Sequence, residues 1–300
     1  MNAEIDNVPL WMIQVGCLIW CIGLRTVFCF IFSWLRDRIE WNTISNASSG
    51  DKKKRTLTKR AARDYPRFVE DTILIPFYIL FSLYDYYILI EQPWYLNDYQ
   101  CAVAPESSIE QFPVTYIYYN LVMAFYAMIT FTLVFLDVKR HDFKLMLTHH
   151  IFAFILVAVS FNSGYWMVGT VVMACHNFVD ALLFTVTAMR QVVRNKKYTE
   201  YAPVNYFIFA VFAVSYFLMR ILLFSKVIST CFYAMIVEPD IVSVGTILNI
   251  SIGEVTVAGV LCTSLLCGLL IMHIYWFWLI LKMSWRAINQ GVDAEDVRDG

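Results

Sequence analysis

Seven stretches of this chain are each apolar over roughly the 20 residues that carry a helix across a bilayer, and no other feature limits the fold so strongly. They run from Val8 to Trp34, Phe68 to Ile90, Pro113 to Leu136, Leu145 to Phe161, Tyr165 to Ala188, Pro203 to Phe224 and Val255 to Leu281. Composition agrees: hydrophobic residues are 59% of the 300 and charged residues 16%, where a soluble domain carries about 25% charged. The mean hydropathy is +0.59. The expected fold class is therefore an all-α integral membrane protein with about seven transmembrane helices. Between Ser225 and Glu254 the pattern is less regular. There "KVISTCFYAMIV" is apolar, "EPD" interrupts it and "IVSVGTILNISIG" follows, so this stretch either lengthens the sixth helix and loops back along the membrane surface or adds a pair of short crossings.

Lysine and arginine fix an orientation, because loops retained in the cytosol keep positive charge. The loop Leu35 to Arg67 holds ten of the 23, "DVKRHDFK" three, "RQVVRNKK" four and the tail from Lys282 three; the loops Glu91 to Phe112 and Glu238 to Glu254 hold none. The alternation fits seven crossings, with a lumenal N-terminus and a cytosolic C-terminus. The first run is too long, and its leader "MNAEID" too acidic, for a cleaved signal peptide. The chain thus divides into an N-terminal helix (1–34), a basic cytosolic loop (35–67), a membrane domain (68–285) and a cytosolic tail (286–300). The loop's "NTISNASSGDKKKR" core reads as a mobile linker that sets topology and attracts anionic lipid. A net charge of -1 gives no reason to expect a nucleic-acid partner. Cys17, Cys21, Cys29, Cys175, Cys262 and Cys267 lie within apolar runs and Cys231 near the end of one, leaving Cys101 in a loop. No CxxC pair occurs, so they read as small apolar packing residues.

Ionisable groups inside apolar runs are costly and usually line a pocket or a path. Four of the five histidines are embedded: His149 and His150 at the start of the fourth run, His176 in the fifth and His273 in the seventh. Asp180 and Arg220 lie in the fifth and sixth, and Glu254 near a span end. His176 and Asp180 are four residues apart and share a helix face, with Asn177 beside them. Imidazoles with a carboxylate can do acid–base or nucleophilic chemistry. Structural readings stand beside that one: the histidine pair bonded to carbonyls or water, His176 and Asp180 joining two helices, His273 as a core residue, and Arg220 snorkelling or paired with a carboxylate. The aromatic cluster around Trp276 and Trp278 reads as packing. Di-iron membrane oxidases need more histidines, in spacings such as HxxxH that this chain lacks, so no metal and no permanently bound cofactor is expected.

"DVKRHDFKLMLTHH", followed after an apolar run by "GTVVMACHNFVDALL", resembles the Lag1 motif of ceramide synthases within the wider TRAM, Lag1 and CLN8 (TLC) homology domain. "EQPWYLND" after the second span, "LMRILL" in the sixth and "HIYWFWLILKM" in the last occur in the expected order, and the resemblance covers about Arg67 to Trp285. It implies a TLC-type bundle of the last six helices around an acyl-chain cavity. It also implies transfer of a fatty acyl group from acyl-CoA, the co-substrate, to the amine of a sphingoid long-chain base in the endoplasmic reticulum membrane. His149 and His150 match the family's histidine pair, Asp180 its second motif aspartate and His176 the histidine before the first aspartate. That first aspartate is Asn177 here, a family arginine is Met167, and an acidic residue is Phe184. The implied chemistry has His149 attack the thioester, His150 orient it or exchange protons with it, and Asp180 accept a proton from the amine. His176, Asn177, Arg220 and His273 support the pocket. Lys139, Arg140, Lys144, Arg190 and Lys196 would attract the CoA phosphates, or serve topology alone. Membrane lipids are further expected partners, and a homodimer or accessory subunit stays open. The alternatives are a non-catalytic TLC-domain protein in lipid sensing, trafficking or translocation, and a seven-span receptor suggested by span count.

Overall fold

A computed structural model describes residues 9–38, 52–90, 109, 113–193, 196–237, 251–252 and 255–290. The chain is all-α, and among the described residues seven helical spans are long and apolar enough to cross a membrane. The helices are α1 (Leu10–Arg38), α2 (Lys52–Ile90), α3 (Pro113–Phe135), α4 (Phe143–Asn162), α5 (Trp166–Val193), α6 (Ala202–Tyr216), α7 (Phe224–Val237) and α8 (Val257–Gln290). A π-helical segment, Phe217–Leu223, joins α6 to α7 within one continuous span, Tyr198–Ile236. The apolar stretch after Ser225 thus lengthens the sixth span, as one of the two expectations had it. Residues 238–250, where the extra crossings would fall, lie outside the described residues. Strands β1 (Ser251–Ile252) and β2 (Val255–Thr256) pair antiparallel just before α8.

One expectation is corrected. The linker expected over 35–67 is helical from Lys52, and that helix runs on without a break into the second span. After Gly50 the sequence is rich in Lys, Arg and Ala, all good helix formers, so propensity favours helix there despite the polarity. Residues 39–51 lie outside the described residues.

The bundle is built around α3. Of its most apolar stretch 61% is buried, against 11% for α1, which packs on the outside along α2 and α3. α2 lies along α5, α5 against α6, and α4 against α3 and α8. Phe81 and Phe125 meet at 5.0 Å between ring centroids, and Phe77 and Phe125 at 5.2 Å, where α2 and α3 join. A second apolar cluster (Leu156, Phe224, Ile228, Leu266 and Leu269) joins α4, α7 and α8, and a third (Val179, Phe212, Tyr216 and Ile280) joins α5, α6 and α8. Between α4 and α5 the chain reverses through Gly164, whose φ of 80° favours a residue without a Cβ. Gly169, one turn into α5, permits a close approach: a Cβ there would clash with the Tyr119 hydroxyl.

The end of the bundle that carries the loop between α3 and α4 is held by polar ties. Asp71 of α2 accepts hydrogen bonds from Arg140 (2.7 Å) and from Gln191 of α5 (2.9 Å). Glu70 accepts the Val138 backbone N–H (3.0 Å), and Arg25 of α1 pairs with Asp137 (3.3 Å). Burial raises the Asp137 carboxyl above its ordinary range, opposed by the nearby Arg25 guanidinium.

Candidate functional site

His149 enters the site nearly two turns into α4, His176 near the middle of α5 and His273 near the middle of α8. The three rings cluster around one point: His149 lies 5.5 Å from His273, edge to face, and 6.1 Å from His176, stacked, between centroids, and 5.3 Å from the Trp276 indole. The spacing of α8 explains the pairing, because residues 273 and 276 are three apart and face the same neighbour. His150, next in sequence to His149, has its ring 5.7 Å from the His149 ring and 6.2 Å from Tyr126 of α3. The adjacent histidines of the motif thus meet edge to face, and the remaining ring neighbours of His149 come from α5 and α8.

The protons of the inner pair follow from their partners. Nδ1 of His176 lies 2.6 Å from the Val172 carbonyl, an acceptor, so Nδ1 carries the hydrogen. In the neutral ring Nε2 is then an acceptor, and Nε2 of His273, 2.8 Å away, must donate to it. That leaves Nδ1 of His273 to accept; the Tyr216 hydroxyl stands 3.4 Å from it and 3.2 Å from the His273 carbonyl. A separation of 2.8 Å is a hydrogen bond and too short for a shared metal ion, whose bonds to two imidazoles are about 2.0–2.1 Å each. Neither His149 nor His150 has a partner on its enclosed Nδ1 among the described residues.

Asp180, one turn beyond His176, forms an ion pair at 2.6 Å with Arg220 of the π segment. Arg220 also donates to the His176 carbonyl (3.2 Å), and its guanidinium lies 5.3 Å from the centre of the Tyr216 ring. Phe212, Tyr216, Arg220, Phe224 and Ile228 all face inward at intervals of four residues. On an α-helix that interval drifts about 40° per step; π turns, with more residues per turn, absorb the drift and keep Arg220 on the inner face.

Two cavities meet at His149. A larger one, about 210 Å³, opens among Arg25, Glu70, Asp71 and Arg140 and reaches His149, His150, Asp180, Tyr216, Arg220 and Trp276. A smaller one, about 70 Å³, continues past His149 and His176 between Leu156, Gly169, Met235, Cys262 and Leu266. His149 and Tyr126 line both. The first is bordered by charge and the second almost wholly by hydrocarbon.

The sequence-expected residues divide accordingly. His149, His150, Asp180 and Arg220 line the larger cavity, His176 lines the smaller, and His273 is enclosed behind them. His176 and Asp180, expected to share a face of one helix, each join α5 to another element through its own partner, His273 and Arg220. Asn177 does not join the pocket: its amide turns to Asp85 of α2 (2.9 Å) and Tyr118 of α3 (3.0 Å), and Tyr118 donates to the same carboxylate. Phe184 lines the larger cavity and stacks on Tyr78 at 5.4 Å, while Met167 packs against the first core cluster. Among the proposed anion-binding cations, Arg140 and Arg190 line the larger cavity. Arg140 is already paired with Asp71, and Arg190 reaches the Met283 sulfur at 3.4 Å. Lys139 and Lys144 are exposed, and the Lys196 side chain lies outside the described residues. Sequence reasoning missed Arg25, Glu70, Asp71, Asp85 and Asp142. Arg25 and Asp85 are charges inside apolar runs, so the rule that picked out Asp180 and Arg220 would have found them.

This fold and site define a polytopic helical membrane protein with a buried histidine cluster where a polar and an apolar cavity join. The chain belongs to the TLC domain family, whose pattern matches residues 67–282. It is 28% identical over 240 residues to ASC1-like protein 3 of Oryza sativa subsp. japonica, covering 77% of this chain and 76% of that protein. It is 25% identical over 286 residues to ceramide synthase 1 LOH3 of Arabidopsis thaliana, covering 92% of this chain and 88% of that protein. Against ceramide synthase 4 of Bos taurus it is 26% identical over 246 residues, 80% of this chain and 56% of that protein.

Proposed function

We propose that this protein is a ceramide synthase, an acyl-CoA-dependent N-acyltransferase that joins a fatty acyl group to the amine of a sphingoid base such as sphinganine. It would act in the endoplasmic reticulum membrane, with its N-terminus lumenal and its C-terminus cytosolic. The observation that carries the reading is His149 at the junction of the two cavities. An acyl thioester has a polar head, a reactive carbonyl and an apolar tail in that order, and the charged cavity, His149 and the hydrocarbon-lined cavity match the order. Relatives named ceramide synthase support the same reaction.

In this reading an unprotonated nitrogen of His149 attacks the thioester carbonyl, the C–S bond breaks, and CoA leaves as the thiolate and takes up the proton that the other ring nitrogen of His149 gives up. The acyl group now sits on the imidazole. The substrate amine attacks the acyl carbon, the C–N bond to His149 breaks, and the amide forms. The amine must be neutral to attack and lose a further proton as the amide forms. Asp180 is the less suited receiver, because its pairing with Arg220 weakens it as a base. His150, on the same cavity with no partner on Nδ1 among the described residues, receives that proton instead and passes it to the departing His149 ring, and Asp180 with Arg220 orients the polar groups of the base. His176 and His273, with donor and acceptor directions fixed by Val172 and Tyr216, hold the wall against which the His149 ring stacks.

The test is N-acylation in membranes lacking other ceramide synthases, supplied with sphinganine and a panel of acyl-CoAs and read by mass spectrometry. Intact-mass analysis after acyl-CoA alone reports the covalent step. The parent yields product and an acyl adduct, and His149→Ala yields neither. Product without an adduct would replace the acyl-enzyme by direct transfer, and folded parent protein giving no product with any acyl-CoA would refute the enzyme reading.

A further inference from the structure

Five carboxylates line the larger cavity, and four are committed. Asp71 holds Arg140 and Gln191, Asp137 holds Arg25, Asp180 holds Arg220, and Glu70 takes a backbone N–H. Asp142 differs. It is 8% exposed, yet among the described residues its Oδ1 has no partner and its Oδ2 receives only a long bond, 3.3 Å, from the Trp276 indole N–H. It stands immediately before the first residue of α4, where an aspartate ordinarily caps the helix through its side chain. It makes no such bond. A buried carboxylate with an unused oxygen is costly, and neither the helix nor an ion pair explains this one.

Its surroundings suggest what completes it. The Trp276 indole that donates to Asp142 also packs its ring against His149, so the carboxylate and the proposed acyl carrier lie on two sides of one side chain. The amine substrate of the proposed reaction arrives as an ammonium, a cation with three donors and no acceptor. Every guanidinium that the structure ties to a carboxylate of this cavity is tied to another one. We propose that Asp142 receives the ammonium of the amine substrate at the cavity mouth and sets it one indole away from His149. This rests on the N-acyltransferase reading. It assigns the two substrates separate polar contacts, with the amine at Asp142 and the thioester at His149.

Asp142→Asn is the deciding variant, because asparagine keeps an oxygen for the Trp276 N–H and removes only the charge. Expected is a rise of about tenfold or more in KM for sphinganine, the loss of one charge-assisted hydrogen bond. The kcat at saturating sphinganine and the adduct formed from acyl-CoA alone stay near parental values. An unchanged KM for sphinganine would overturn the proposal and leave Asp142 as an anchor for Trp276. Equal losses in adduct formation and amine use would also overturn it, since the residue would then shape the whole cavity. Sphinganine-induced thermal stabilisation of the detergent-solubilised chain, with parent and Asp142→Asn compared, needs no turnover. A stabilisation of the parent that the variant loses supports the proposal even if the parent makes no product, and equal stabilisation, or none in the parent, refutes it.

Discussion

Replacing Arg220 with glutamine strands the Asp180 carboxylate. The two groups meet at 2.6 Å with 4% and 12% of their side chains exposed, so water cannot take over from the missing guanidinium. Removing one member of a buried ion pair costs about 3–5 kcal/mol, chiefly because the remaining charge has lost its partner. For chains near this size 1 kcal/mol moves a melting midpoint by about 2–4 °C, which predicts a fall of about 6–20 °C. Thermal unfolding of purified protein in detergent, followed by loss of the monodisperse gel-filtration peak, measures it. Asp180→Asn is expected to fall by a similar amount, since it strands the guanidinium instead. The double variant Asp180→Asn with Arg220→Gln places two neutral amides in the same space and recovers much of the loss, so the two changes are strongly non-additive. A single Arg220→Gln variant within about 2 °C of the parent, or a double variant that falls by the sum of the singles, would refute the view that charge pairing holds α5 to the π segment.

Two further perturbations test how the cavities are built. Gly169→Ala drives a methyl into the Tyr119 hydroxyl and displaces that hydroxyl from the Trp166 carbonyl, so overpacking should cost about 1–3 kcal/mol. Adding Tyr119→Phe removes the clashing oxygen and should restore most of the melting midpoint, whereas losses that simply add would place the strain elsewhere. Asp71→Ala releases both Arg140 and Gln191 from α2 and, at about 1.5–3 kcal/mol for each hydrogen bond to a charged group, should lower the midpoint more than Asp71→Asn does. Equal midpoints for parent and Asp71→Ala would show that these ties contribute nothing.

The spans were readable because a helix in hydrocarbon satisfies its own backbone, so each crossing announces itself by the apolarity of one contiguous segment. The helix from Lys52 was harder to read, because a polar, charged run has no apolar face to reveal its period. The histidine motif could be picked out from types and spacing, as could the burial cost that makes such residues unusual. Their partners could not. His176 and His273 lie 2.8 Å apart across 97 residues of sequence, and Asp142 and Trp276 meet across 134. Asn177 sits beside His176 in sequence yet turns to another helix, since successive positions on a helix point about 100° apart.

The sequence by itself determined that this chain crosses a membrane about seven times and carries rare ionisable groups within those crossings. Only the tertiary structure decided that Asp180 is tied to Arg220, that His149 stands where a charged cavity gives way to an apolar one, and that Asp142 is left with an open oxygen. Hydropathy and spacing are properties of one segment at a time, whereas hydrogen bonds, ion pairs and cavities belong to side chains that only helix packing brings together.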